Sequence, residues 1–302
     1  MPKLKTEAAK KSLLRRVRRQ RLNYITILPS LITILNGVCG FTAIIYAGKD
    51  PDPNPSIGPS CFAIAGYLVL LAMIADMLDG RLARMSQSTS SFGGQLDSLC
   101  DIISFGVAPA FLMLKVLEHE LLPAGLGDEK LLHRFIWLAG AAYISCAAIR
   151  LARFNVENEE DESAHMSFIG LPTPAAAGVI VSLIIFHQET LPEVLDENAI
   201  AYALCESTIM YTLPLLALGV AMLMVSRFRY PHILNQYLKG KKPFAQLIRV
   251  LLLLVFACWQ LPAALMLVFC VFAASSVVKK LYYRVIKSSA LMQAVPKLES
   301  PE

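Results

Sequence analysis

Long apolar runs are the feature that most constrains the fold of this chain. Hydrophobic residues make up 56% of its 302 residues, and the mean hydropathy is +0.54. The apolar residues are gathered in runs close to the roughly 20 residues that a helix needs to cross a hydrocarbon core about 30 Å thick. This pattern is typical of a polytopic membrane protein and not of a soluble domain. We therefore predict an all-α bundle of about eight transmembrane helices.

The last apolar stretch is long enough for two spans. A single helix from Ile248 to Val278 would exceed the bilayer core at about 1.5 Å per residue. Pro262 offers a turn, and lysines flank the stretch on both sides, so we predict a hairpin with both ends on one side of the membrane. The predicted spans are 24–47, 60–78, 97–116, 135–152, 172–188, 208–226, 246–260 and 262–279.

The distribution of basic residues predicts the orientation. Residues 1–23 carry nine Lys or Arg, whereas the loop 189–207 has none and carries five acids. The positive-inside rule then places both termini in the cytoplasm. We divide the chain into a basic amphipathic segment (1–23), a transmembrane domain (24–284) and a cytoplasmic tail (285–302). The first segment is either a helix that lies on anionic headgroups or a plain topology signal.

Four aspartates stand at the cytoplasmic ends of two neighbouring predicted helices. Asp76 and Asp79 are about 60° apart on a helix, and Asp97 and Asp101 are about 40° apart. The stretch "MSQSTSSFGG" between the two pairs is small and polar. Two antiparallel helices would therefore present the two carboxylate pairs to each other.

Clustered carboxylates repel one another unless a cation lies between them. Hard oxygen ligands suit Mg²⁺ or Mn²⁺, and two such ions can clamp a phosphate. Gly80, on the same side of the first helix, would let a nucleotide approach the backbone. Two alternatives remain: a salt-bridge network with Arg81 and Arg84, and a carboxylate-based transporter. The acids cluster at one face and form no path across the membrane, which disfavours transport.

The aspartates belong to a longer pattern that resembles the CDP-alcohol phosphatidyltransferase family. The family signature is D-x2-D-G-x2-A-R-x8-G-x3-D-x3-D. This chain matches all eight fixed residues over 26 positions, at Asp76, Asp79, Gly80, Ala83, Arg84, Gly93, Asp97 and Asp101. Within the family it is most similar to the bacterial membrane-embedded phosphatidylserine synthases, through "LPSLITILNGVCGF" (28–41), "SFGVAPAF" (104–111), "RLARFN" (150–155) and "GLPTPAAAG" (170–178).

The resemblance implies a fold, a reaction and roles for the matched residues. The fold has six family-core helices, followed here by the C-terminal hairpin, in the bacterial plasma membrane with the active site facing the cytoplasm. The reaction transfers a phosphatidyl group from CDP-diacylglycerol to L-serine and releases CMP. The partners are these two substrates, membrane lipids and a second copy of the chain in a homodimer, and they include no nucleic acid. The roles are two divalent ions on Asp76, Asp79, Asp97 and Asp101, a nucleotide site at Asp76, Gly80, Ala83, Arg84 and Gly93, and Asp101 as the general base.

The acceptor is the least constrained part of this interpretation. Arg150 and Arg153 end the fourth predicted span, near one helical face, and a guanidinium pair suits the carboxylate of serine or a lipid phosphate. The alternative is that both arginines are topology signals at a helix C-terminus. Glycerol 3-phosphate, inositol phosphate or choline as acceptor would keep the same chemistry.

Overall fold

The computed structural model describes residues 30–49, 59–86, 91–121, 129–160, 168–195, 200–230 and 260–294. Within these ranges the chain is helical apart from one pair of two-residue strands, and seven of the described helices are long and apolar enough to cross a membrane. The predicted helical membrane architecture is thereby confirmed. The predicted span 246–260 and the basic segment 1–23 lie outside the described residues.

The helices are numbered in chain order. They are α1 (Ser30–Ala47), α2 (Cys61–Ser86), α3 (Ser91–Asp101), α4 (Ala108–Glu120), α5 (Glu129–Glu160), α6 (Thr173–Ile185), α7 (Leu191–Val194), α8 (Ile200–Val225) and α9 (Leu261–Ala294). A π-helical segment, Ile102–Val107, joins α3 to α4, and a second, Phe186–Thr190, joins α6 to α7. The strands are β1 (Phe168–Ile169) and β2 (Arg229–Tyr230).

Several helices extend beyond the spans that hydropathy predicts, and two of them carry the aspartates. The second predicted span ends at residue 78, but α2 continues to Ser86; the third begins at residue 97, but α3 begins at Ser91. Hydropathy falls where charged side chains begin, whereas the backbone hydrogen bonds of a helix do not depend on side-chain polarity. Both aspartate pairs therefore lie on continuous helices.

Helix α6 is at the centre of the bundle. Every one of its residues except Pro174 is buried. It packs against α2, α4, α8 and α9. Its sequence "TPAAAGVIVSLII" begins with small residues, which let neighbouring helices come close in a membrane, where packing drives association.

The outward faces of the helices are apolar. Leu31, Phe41, Leu71, Trp137 and Val271 are all more than half exposed or close to it. Exposed apolar surface of this extent is costly in water and favourable against lipid tails. The bundle thus has a lipid-facing surface around a core that α6 fills.

The loop before α6 is bound to the end of α8. The N–H of Gly170 donates to the carbonyl of Phe228 at 2.7 Å, and that of Leu171 donates to the carbonyl of Leu223 at 3.0 Å. Strands β1 and β2 pair antiparallel beside these bonds. Gly170 has φ = +82°, a backbone conformation that glycine adopts without a steric penalty. This contact fixes the entrance to α6.

We expect Gly170→Ala to destabilise the protein. A Cβ at this position would collide with the main-chain oxygen of Met224, and a left-handed non-glycine residue costs a further 1–2 kcal/mol or so. The thermal unfolding midpoint in detergent should fall by at least about 2–4 °C. Gly219→Ala in α8 is the matched control, because a Cβ there meets nothing within 4 Å. Equal midpoints for the two variants would contradict this account of Gly170.

Candidate active site

Three aspartates from two helices converge at one end of the bundle. Asp76 of α2 and Asp97 and Asp101 of α3 each offer a carboxylate oxygen, and these oxygens lie within 4.8 Å of one another. The i, i+4 spacing of Asp97 and Asp101 puts both on the face of α3 that meets α2. We call these three residues the aspartate group.

The aspartate group gathers three carboxylates at one place. Neither the Lys115–Glu118 pair nor the His119–Glu120 contact on α4 involves the group. Oδ1 of Asp97 is buried with no hydrogen-bond partner in this part of the chain. Buried carboxylates without partners are unfavourable, and oxygen atoms this close together suit a small divalent cation.

Asp79 lies beside the aspartate group and outside it. It is 4% exposed, and Thr33 of α1 is within hydrogen-bonding reach of its carboxyl group. Its Oδ2 is buried and has no partner among the described residues, and it is close enough to Asp97 for the two carboxylates to repel each other. The structure thus brings three of the four predicted metal ligands together and holds the fourth next to them.

Helix α1 contributes a residue that sequence reasoning missed. Nδ2 of Asn36 donates to Oδ1 of Asp101 at 2.9 Å, and Asn36 is 0% exposed. The hydroxyl of Ser104 donates to the main-chain carbonyl of Asn36 at 2.9 Å. A polar side chain inside an apolar span was the available signal, because such residues are costly there unless they have a function.

The close approach of α1 to the end of α3 depends on a small residue. A Cβ at Gly40 would lie 2.6 Å from the Cα of Ser104, which is closer than real atoms come. Ser104 belongs to the π-helical segment that follows Asp101 directly. Glycine at position 40 therefore lets the two backbones meet, and π-helical segments frequently occur at functional sites.

The predicted nucleotide residues lie on the same two helices. Gly80, Ala83 and Arg84 follow Asp79 along α2, and Gly93 is in the first turn of α3. Gly80 and Gly93 are partly exposed. The side chains of Ala83 and Arg84 lie outside the described part of the structure, so the predicted role of Arg84 stays a prediction.

Helix α5 contacts α3 beside the aspartate group. Nδ2 of Asn155 donates to the hydroxyl of Ser98 at 2.9 Å, one residue from Asp97. Further along the helix, the hydroxyl of Tyr143 donates to the carbonyl of Phe105 at 2.9 Å. Because α5 runs antiparallel to α3, the segment between these two contacts passes alongside Asp101.

The two predicted acceptor arginines have different surroundings. Arg150 lies on α5 between the contacts just described and is 5% exposed. Nη1 of Arg153 donates to the carbonyl of Val225 at 3.2 Å, at the last residue of α8. A cation at this position stabilises a helix C-terminus, so Arg153 has a structural partner.

Comparison with known proteins assigns the family. The model of the CDP-alcohol phosphatidyltransferase family matches residues 26–224. The CDP-diacylglycerol--serine O-phosphatidyltransferase of Helicobacter pylori is 31% identical over 211 residues, which are 70% of this chain and 74% of the relative. The Bacillus subtilis protein of the same name is 29% identical over 70% of this chain and 92% of its own, and that of Methanocaldococcus jannaschii is 29% identical over 70% and 77%. On this evidence the chain belongs to the CDP-alcohol phosphatidyltransferase family.

Proposed function

We propose that the protein transfers the phosphatidyl group of CDP-diacylglycerol to the hydroxyl of L-serine. The products are phosphatidylserine and CMP. The observation that carries the proposal is the aspartate group, whose three carboxylates offer oxygens within 4.8 Å of one another inside the signature of the family. The choice of serine is supported by the names of the relatives.

The aspartate group fits divalent metal ions. Asp76, Asp97 and Asp101, with Asp79 beside them, would hold two ions of Mg²⁺ or Mn²⁺, because all four side chains offer hard oxygen ligands and two of their oxygens are buried without partners. When bound, such ions neutralise the negative charge of a diphosphate. Gly80, Ala83, Arg84 and Gly93 would then line the nucleotide site, and Asp76 would contribute to both the metal site and the nucleotide site.

Asp101 is the proposed general base. It is 7% exposed, and Asn36 holds one of its oxygens, so the other oxygen can take the proton of the acceptor hydroxyl. The hydroxyl oxygen forms a bond to the phosphorus of the phosphatidyl group, and the phosphoanhydride bond to CMP breaks. CMP leaves with the electron pair of that bond, and the proton stays on Asp101 until solvent removes it.

The position of the aspartates at the end of apolar helices suits a substrate with two parts. The cytidine nucleotide is water-soluble, and the diacylglycerol tails are not. The basic residues on this side of the chain support a cytoplasmic site in a bacterial plasma membrane, with both termini in the cytoplasm. The domain boundaries proposed from the sequence, 1–23, 24–284 and 285–302, belong to the same proposal.

We expect Arg150→Lys to raise the KM for serine by about ten- to a hundred-fold, because an ammonium cannot reproduce a two-pronged contact with a carboxylate. Arg153→Lys is the comparison variant. It should mainly lower the thermal unfolding midpoint, because Arg153 is bound to the end of α8. Steady-state kinetics against serine and against CDP-diacylglycerol separates the two effects. A larger change in the KM for CDP-diacylglycerol in Arg150→Lys would assign Arg150 to a lipid phosphate instead.

The same chemistry with another acceptor is the second candidate function. Purified protein should be incubated with CDP-diacylglycerol and, in turn, serine, glycerol 3-phosphate, inositol phosphate and choline, and both CMP and the lipid product should be measured. Serine-dependent CMP release is the expected result. Release that requires glycerol 3-phosphate, inositol phosphate or choline would change the acceptor and keep the reaction class.

A carboxylate-based transporter is the third candidate. It needs polar side chains along a path through the bundle. From Ala175 to Ile185, the central helix α6 contributes Ser182 as its single polar side chain, and that hydroxyl is bound to the carbonyl of Val179. This stretch of the central helix therefore offers no support for a path, and CMP release would exclude simple transport.

A further inference from the structure

The side-chain amide of Asn36 has a fixed orientation. Its Nδ2 donates to Oδ1 of Asp101 across 65 residues of sequence, and both side chains are buried. With the Asp101 carboxylate as acceptor, the amide nitrogen of Asn36 faces Asp101 and the amide oxygen faces away from it.

The amide oxygen of Asn36 is the unused half of this side chain. Oδ1 is buried and has no hydrogen-bond partner in the described ranges. Buried acceptors are almost always paired, and an unpaired one needs an explanation. This oxygen belongs to the same amide that holds the proposed base, so a hydrogen-bond donor of the bound substrate would lie within its reach.

The position of Asn36 is held independently of its side chain. The hydroxyl of Ser104 donates to the main-chain carbonyl of Asn36, and Gly40 lets α1 lie directly against the same π-helical segment. A group that binds substrate is most effective when its own position is set by the surrounding structure. The backbone of Asn36 is fixed by Ser104, and its side chain is fixed by the bond from Nδ2 to Asp101.

We propose that Oδ1 of Asn36 binds the ammonium group of the acceptor amino acid while Nδ2 holds Asp101. This inference rests on the proposed function. Serine carries its ammonium and its hydroxyl on adjacent carbons, so a hydroxyl placed at Asp101 brings the ammonium to the neighbouring side chain. An ammonium has three donors and no acceptor, which matches an amide oxygen. Glycerol 3-phosphate and inositol phosphate have no such group.

The test uses two fragments of serine as inhibitors of phosphatidylserine formation, which is measured instead of CMP because both fragments keep the hydroxyl and could themselves act as acceptors. Ethanolamine keeps the ammonium and lacks the carboxylate, and 3-hydroxypropionate keeps the carboxylate and lacks the ammonium. In Asn36→Ala, the KM for serine and the inhibition constant of ethanolamine should rise by about ten- to a hundred-fold, and that of 3-hydroxypropionate should change much less. Arg150→Lys should show the opposite preference.

Ser104→Ala is the matched control, because it removes the hydrogen bond to the main chain of Asn36 and leaves the amide in place. It should weaken both fragments to a similar, small extent, because it loosens the position of Asn36 and keeps its amide, and it should therefore keep the wild-type order of inhibition. If Asn36→Ala does not give a monodisperse protein in detergent, Asn36→Gln, which moves the amide oxygen by one methylene, should show the same selective loss.

Three results would overturn the proposal. Equal weakening of both fragments would make Asn36 a positioning residue for Asp101 alone. A parallel loss of Mn²⁺ affinity, measured by equilibrium binding without substrate, would assign Oδ1 to the metal site. If wild-type protein releases CMP with another acceptor and not with serine, the proposed acceptor fails first, and the assignment of Asn36 fails with it.

Discussion

Asp101→Asn should lose about a hundred- to ten-thousand-fold in kcat while still binding CDP-diacylglycerol. An amide cannot take the proton of the acceptor hydroxyl. Asp101 is the most buried member of the aspartate group, and Asn36 donates a hydrogen bond to it. It is also the last α-helical residue before the π-helical segment. Turnover should be measured as CMP release, and donor affinity by equilibrium binding of CDP-diacylglycerol.

Asp76→Asn is the comparison for this experiment. Asp76 lies on α2 in the same group, so it shares the charge and the proposed metal, and it has no contact with Asn36 among the bonds found in the described ranges. We expect it to lose donor affinity more than Asp101→Asn does. If both variants lose donor affinity to the same extent, Asp101 acts only as a metal ligand and not as the base.

Removal of metal should abolish activity, and Asp97→Asn should weaken metal binding. Oδ1 of Asp97 is buried without a partner, so a cation is the simplest group that can compensate it. A neutral amide is a poorer ligand for a hard cation, and the affinity for Mn²⁺ should fall by at least about 10–100-fold, together with the rate. Equilibrium Mn²⁺ binding to the purified protein measures this without turnover.

Glu118→Gln is the matched control, since it makes the same change of a carboxylate to an amide. Glu118 is paired with Lys115 at 2.9 Å on α4 and does not belong to the aspartate group. Its Mn²⁺ affinity should equal that of the wild type. Full turnover in an excess of chelator would contradict the metal requirement, and so would an unchanged Mn²⁺ affinity in Asp97→Asn.

The spacing of the aspartates predicted much of the site. The i, i+3 and i, i+4 intervals fix which side chains share a helical face, and the short connection brings the two helices back against each other. The structure has Asp76 close to Asp97 and Asp101. The intervals do not predict which carboxylates meet, and Asp79 lies outside the group beside Thr33.

The role of α1 could not be predicted from local patterns. Asn36 and Asp101 are 65 residues apart. The periodicity of one helix shows which of its residues share a face, but it does not predict which residues of another helix that face will contact. The loop contact at Gly170 could not be predicted for the same reason. The paired strands beside it are only two residues long, which is too short for an alternating pattern. Contacts of this kind follow from packing, which depends on the whole bundle.

The helix ends differ from the predicted ones for a different physical reason. Hydropathy reports where the chain prefers lipid, and this preference ends near residue 78 on α2 and begins near residue 97 on α3. The helices themselves extend to Ser86 and from Ser91, so the charged motif is helical on both sides of the connection. On α2 and α3 the predicted membrane boundary and the helix boundary differ because the residues at these helix ends are polar or charged.

The central claim is a metal-dependent transfer from CDP-diacylglycerol to serine, and one measurement tests it directly. Purified protein, CDP-diacylglycerol and serine should be incubated with Mg²⁺ or Mn²⁺, and CMP and phosphatidylserine should be quantified in the same reaction. We predict equal molar amounts of the two products, and neither product when chelator is in excess. CMP formed without phosphatidylserine, or both products formed at full rate in chelator, would contradict the account.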